Sequence, residues 1–162
     1  MKEQFDLIRQ TRTRFINLVN GLSIEELNEV PAGMNNNIAW NFGHIITAQQ
    51  GLCNGLSGVE QDVPDELTAG FKKGTKPESF ISQEGIDELK EYAMSCIDEL
   101  ERGLSENVFV QYKTYTTSYG YTLNNIEDAV RFVMVHDALH LGYAMAIRRN
   151  LSKNKHLKSN KK

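Results

Sequence analysis

Apolar residues recur at helical spacing in four long stretches of the chain. Phe5, Ile8, Phe15 and Val19, widened by Ile16, Leu18 and Leu22, form one stripe that Gly21 stops. Ser23 and Glu26 then have the form of a capping box opening a short helical turn, which Pro31 and Gly33 terminate. Ile38, Ala39, Trp40, Phe42, Ile45, Ile46, Ala48, Leu52 and Leu56 predict a second helix over about residues 37–56, with Asn35, Asn36 and Asn37 offering cap oxygens. Ile86, Leu89, Ala93, Cys96, Ile97, Leu100 and Leu104 mark a third, capped by Ser82 and ending near Gly103. A fourth runs from about Thr122 to Asn150 on Ile126, Ala129, Val130, Val133, Met134, Leu141, Met145 and Ile147.

With no convincing strand pattern, four amphipathic helices make an all-α protein, an antiparallel or crossover four-helix bundle. The connection over residues 57–81, with Pro64, Gly70, Gly74 and Pro77, is long for a compact domain. Its "VPDELTAGF" can supply a helical turn or two, so it reads as a crossover covering one end of the bundle. Residues 111–122, "QYKTYTTSYGYT", hold four of the six tyrosines. They fit either a short extended piece packed on the bundle or aromatics presented at a pocket.

At 162 residues, with 40% hydrophobic and 24% charged positions, the chain has the makings of one cooperative core. Residues 1–150 read as a single bundle domain and residues 151–162 as a basic, disordered tail. That tail carries five lysines and no acid. The body before it therefore sets thirteen basic against twenty-one acidic residues, a net −8 within an overall −3. Such a body offers phosphates no basic face, which argues against a nucleic-acid partner; a weak nucleic-acid or membrane contact through the tail is the minor alternative. No run approaches the roughly 20 apolar residues of a membrane span, and the N-terminus has no signal-peptide core. Cys53 and Cys96, both within helical patterns, read as buried hydrophobes in a reducing, cytoplasmic setting.

The candidate chemistry lies in the histidines. His136 and His140 stand one turn apart and project from one helix face, where both can reach a single ion. The pair alone fits a metal clamp and two hydrogen-bonded core imidazoles equally well. His44, one turn after Trp40 and one before Ala48, lies on or beside an apolar face of the second helix. It completes the three-nitrogen set that zinc or nickel commonly takes, with further positions open. His156 falls in the lysine tail and is expected in solvent. Asp137 points about 100° round the helix from His136 and is assigned neither as base nor as ligand. No phosphate loop, serine triad or cysteine nucleophile is present.

"IAWNFGH" in the second helix, followed by His-Asp-x-x-His-x-Gly late in the fourth, resembles the DinB-like metal-dependent four-helix bundles, over nearly everything up to about residue 150. The resemblance implies an up-up-down-down bundle, often dimeric, with a divalent metal near one end held by His44, His136 and His140. The family's usual stretch is His-Glu-x-x-His-x-Gly-Gln; Asp137 and Tyr143 stand where it has glutamate and glutamine. Gly142 matches, and a glycine within a helix, about 1 kcal/mol worse than alanine, predicts a neighbour approaching closely there. Members transfer low-molecular-weight thiols such as bacillithiol or glutathione, and one branch is a mycothiol-dependent isomerase. The leading expectation is thus a metal-dependent enzyme, a thiol-dependent transferase or a hydrolase, acting on a small electrophilic molecule, with zinc or nickel and a low-molecular-weight thiol as cofactors and a second copy as partner. The alternative is a non-catalytic bundle with a structural or sensory metal site, or none. Selectivity would come from a pocket lined by the crossover and the tyrosine-rich segment, neither of which carries a substrate code.

Overall fold

A computed structural model of the protein describes residues 1–159, with side chains as far as Leu151. Its elements are α1 (Lys2–Asn20), α2 (Ile24–Asn28), α3 (Ile38–Gln49), α4 (Asp65–Phe71), α5 (Gln83–Ser105), a two-residue pair of strands β1 (Tyr115–Thr116) and β2 (Thr122–Leu123), and α6 (Ile126–Ser159). The capping chemistry foreseen in the sequence is in place. Ser23 and Glu26 satisfy each other's backbone donors. The Asn37 side chain accepts from the Trp40 amide at 2.7 Å, and that of Ser82 accepts from the Gly85 amide. Each such cap is worth about 1 kcal/mol.

Helices α1, α3, α5 and α6 form the bundle, with α3 packed against all three others. Nearly every residue of α3 is buried, so it is enclosed on all sides rather than along one stripe, with Asn41, His44, Thr47 and Gln49 as its buried polar positions. Past Gln49 it continues through a π turn, Gln50–Asn54, and a 3-10 turn, Gly55–Ser57. The core has two contiguous parts. In one, Phe15, Leu18 and Val19 pack with Ile38, Ala39, Phe42, Ile45, Ile46, Ile86, Leu89, Ala93, Ala144, Ile147 and Leu151. In the other, Phe5 and Ile8 pack with Cys53, Ile97, Leu100, Ala129, Val130 and Val133. From the second part to the first, residue numbers rise in α1 and α6 and fall in α3 and α5. The four helices therefore run up, down, down, up, which corrects the up-up-down-down order expected. The long crossover sits between the two parallel neighbours, α3 and α5, because parallel elements need a connection that returns the full length of the bundle.

Arg12 ties these helices together from the centre. It occupies a position on the apolar stripe of α1 and is fully buried. Its Nε donates to Asp137 Oδ2 of α6 at 2.8 Å, Nη1 to the Ala93 carbonyl of α5 at 2.9 Å and Nη2 to the Ile45 carbonyl of α3 at 3.4 Å. A buried guanidinium is tolerable only with its donors so engaged.

The expected helical turn in the crossover is α4. The tyrosine-rich segment is both things foreseen for it, since β1 and β2 form an antiparallel pair and part of the segment lines a cavity. The fourth helix starts later than read, at Ile126, because Thr122 and Leu123 belong to β2. It also runs on to Ser159, into the segment set apart as a tail; residues 160–162, and the side chain of His156, lie outside what is described. The expectation for Gly142 is corrected. It faces outward, and a Cβ there would meet nothing within 4 Å. Among the described residues, no helix is long and apolar enough to cross a membrane.

Candidate metal centre

His44 on α3 and His136 and His140 on α6 converge: one ring nitrogen from each lies within 4.8 Å of the others. Antiparallel packing of α3 against α6 brings this about, setting the middle of one helix beside the middle of the other. Ring centroids are 5.1 Å apart for His44 and His136, 4.7 Å for His44 and His140, and 4.5 Å for His136 and His140. The Trp40 indole stacks on His44 at 4.6 Å, closing one side.

Two of the rings have their outer nitrogen committed. His44 Nδ1 lies 2.6 Å from the Phe71 carbonyl. A carbonyl can only accept, so Nδ1 carries the proton and the lone pair sits on Nε2. His140 Nδ1 lies 2.8 Å from Asn41 Oδ1. The Asn41 amide is oriented by its Nδ2 donating to the Asn37 carbonyl at 2.7 Å, so the same reasoning leaves the lone pair of His140 on Nε2. Acceptors on the outer nitrogen are the usual support of metal-ligating histidines. Phe71 reaches His44 because Gly43 has no side chain: a Cβ there would sit 2.5 Å from the Phe71 ring.

The electrostatics favour neutral imidazoles. Burial, then repulsion from His140, His44 and Arg12, lowers the pKa of His136 to about 3. Burial and then His44 bring His140 down to about 4. Burial also lowers His44, against the Phe71 carbonyl. Three uncharged nitrogen donors on one point are a donor set that fits zinc or nickel.

The cavity beside the histidines measures about 390 Å³. Thr68, Lys72 and Lys73 of the crossover, Tyr115 and Tyr119 of the tyrosine-rich segment, and Leu52, Phe132 and Leu139 of the bundle contribute to it. Both segments singled out in the sequence therefore reach the site.

Asp137 is not a ligand; it is fully buried and paired with Arg12. Its Oδ1 has no hydrogen-bond partner and lies 4.0 Å from His136 Nδ1, beyond hydrogen-bond reach. Burial raises this carboxyl and Arg12 opposes the rise. Cys53 and Cys96 are buried as expected, and burial pushes their thiols up to about 12 and about 11, so neither is a thiolate near neutral pH. Sequence reasoning missed Asn41, the Phe71 carbonyl and Arg12. Only Arg12 left a signal: an arginine on an otherwise apolar stripe requires a buried partner.

A sequence profile described as the DinB superfamily matches residues 7–144. Among solved structures, one described as the conserved protein of locus from Enterococcus faecalis superposes with a TM-score of 0.60 at 14% identity, covering 92% of this chain and 95% of that one. No curated protein sequence matches the chain.

Proposed function

The chain belongs to the DinB superfamily, and from that premise we propose that His44, His136 and His140 bind one divalent ion, zinc or nickel, in a metal-dependent thiol transferase or hydrolase acting on a small electrophilic molecule. The observation that carries this reading is the convergence of three ring nitrogens within 4.8 Å. When bound, an ion on three neutral imidazoles lowers the pKa of a thiol or water brought to it, supplying a nucleophile near neutral pH.

The chain's own groups prepare that chemistry. The Phe71 carbonyl and Asn41 hold protons on the outer nitrogens of His44 and His140. Trp40, Leu52 and Phe132 limit water around the rings. Among the described residues the cavity lining contains no thiol and no carboxylate, which supports a low-molecular-weight thiol or water brought in from solution as the nucleophile.

The test is zinc titration of untagged protein, followed by His140→Ala. One equivalent of zinc should bind to the wild type, and the variant should lose at least a hundredfold in affinity while keeping its helical circular dichroism. Metal-dependent turnover of 1-chloro-2,4-dinitrobenzene with an added thiol would support the transferase. An ion that raises the melting temperature but supports no turnover of electrophiles or esters would favour a structural or sensory site instead. Failure to bind zinc or nickel sinks the reading.

A homodimer is part of the proposal. The outer face of α6 carries Val135, Leu139, Tyr143 and Met145 in exposed positions, with Gly142 open to close approach between them. An uncharged helix face of this kind suits a second copy of the chain.

A further inference from the structure

The charges around the histidine cavity run against those of the whole molecule. Among the described residues lining it, the charged side chains besides the histidines are Lys72 and Lys73, with no aspartate or glutamate. The second large cavity, about 420 Å³ on the other side of the crossover, is lined by Glu66, Glu78 and Glu88 against Lys76. Helix α4 thus divides the two, sending an acid to one and ending in a pair of lysines at the other. Both lysines are exposed, and among the described residues neither ammonium takes part in an ion pair or a side-chain hydrogen bond. Leu52, Phe132, Leu139, Tyr115 and Tyr119 form its apolar and aromatic walls, and Thr47, Thr68, Thr117 and Ser118 add uncharged hydroxyls.

We propose that this cavity selects a small amphipathic anion: Lys72 and Lys73 hold its carboxylate, or a comparable anionic group, while an apolar or aromatic body lies against Phe132, Tyr119 and Leu52. This deepens the preceding reading, on which it rests for the reaction but not for the binding. An acidic body repels anions over most of its surface, so a local cationic mouth over low-dielectric walls concentrates them at one place. The two lysines follow the carbonyl of Phe71 that holds His44. An anion drawn to them is therefore set down next to the imidazoles. Because that holding group is backbone, changing the lysine side chains leaves the support of His44 intact.

The test uses three isosteric probes, 3-phenylpropanoate, 3-phenylpropanamide and 3-phenylpropylammonium, titrated calorimetrically into zinc-loaded and metal-free protein. The carboxylate is expected to bind about fivefold more tightly than the amide, the order of two exposed charge contacts, with the ammonium weakest and the preference shrinking as salt is added. In Lys72→Gln/Lys73→Gln the preference should vanish while zinc content stays the same, and Lys72→Glu/Lys73→Glu should invert it toward the ammonium. A preference that survives the glutamine substitutions but disappears on removing zinc overturns the inference and leaves the metal site standing. Equal affinities, or no saturable binding of the carboxylate in the millimolar range, overturn it as well. Protein that binds no zinc yet keeps the lysine-dependent preference would sink the metal reading alone.

Discussion

The proton on His140 Nδ1 is committed to Asn41 before any ion arrives, and this pre-orientation lowers the cost of binding one. Asn41→Leu removes the acceptor at nearly constant volume, so zinc affinity should drop ten- to a hundredfold in a competitive chelator titration, with helicity retained. The same rings make stability depend on pH. Their folded pKa values lie below the unfolded value near 6.5, at about 3 for His136 and about 4 for His140. The unfolded chain then binds more protons than the folded one. The melting temperature of metal-free protein should be flat above about pH 6.5 and fall steadily as the pH drops toward about 4. In His136→Asn that slope should be shallower; an unchanged slope would assign the acid sensitivity to other groups. At this scale the three converging histidines were legible in the sequence, as an i, i+4 pair plus one histidine on an apolar face. Their supports were not, because a backbone carbonyl has no letter and an asparagine acceptor looks like any other asparagine.

Helix α4 matters less for what it buries than for where it ends. Its contact with α3 depends on the bare backbone of Gly43. Gly43→Ala should gain up to about 1 kcal/mol of helix propensity but push a Cβ to within 2.5 Å of the Phe71 ring, an overpacking that costs about 1–3 kcal/mol. Urea denaturation should show a net loss of stability, and zinc affinity should fall with it as the Phe71 carbonyl shifts from His44. Stable, tightly binding Gly43→Ala would show that α4 can move without disturbing the ligand. The long helices were readable from their apolar spacing and caps. The short elements were less so: α4 and the paired strands are too brief for periodicity, and the π turn after Gln49 leaves no mark in composition.

For the whole molecule, apolar spacing gave the number of helices but not their directions, because up and down helices bury the same stripes. The long segment between α3 and α5 holds the clue, as two parallel neighbours need it. Assembly belongs to this scale too. Met145→Lys places a charge on the uncharged outer face of α6 and should convert a dimer to a monomer in sedimentation velocity, with the melting curve of the subunit little changed; a wild type that sediments as a monomer removes the face from consideration. The grip of Phe71 on His44 carries one more consequence. A stretch of chain that bridges two helices also holds one of the three converging imidazoles, so on the proposed metal reading sealing the bridge and capturing an ion are coupled steps. Zinc should therefore slow trypsin cleavage at Lys72 and Lys73 far more than at lysines elsewhere, turning the bridge into a latch that the ion fastens.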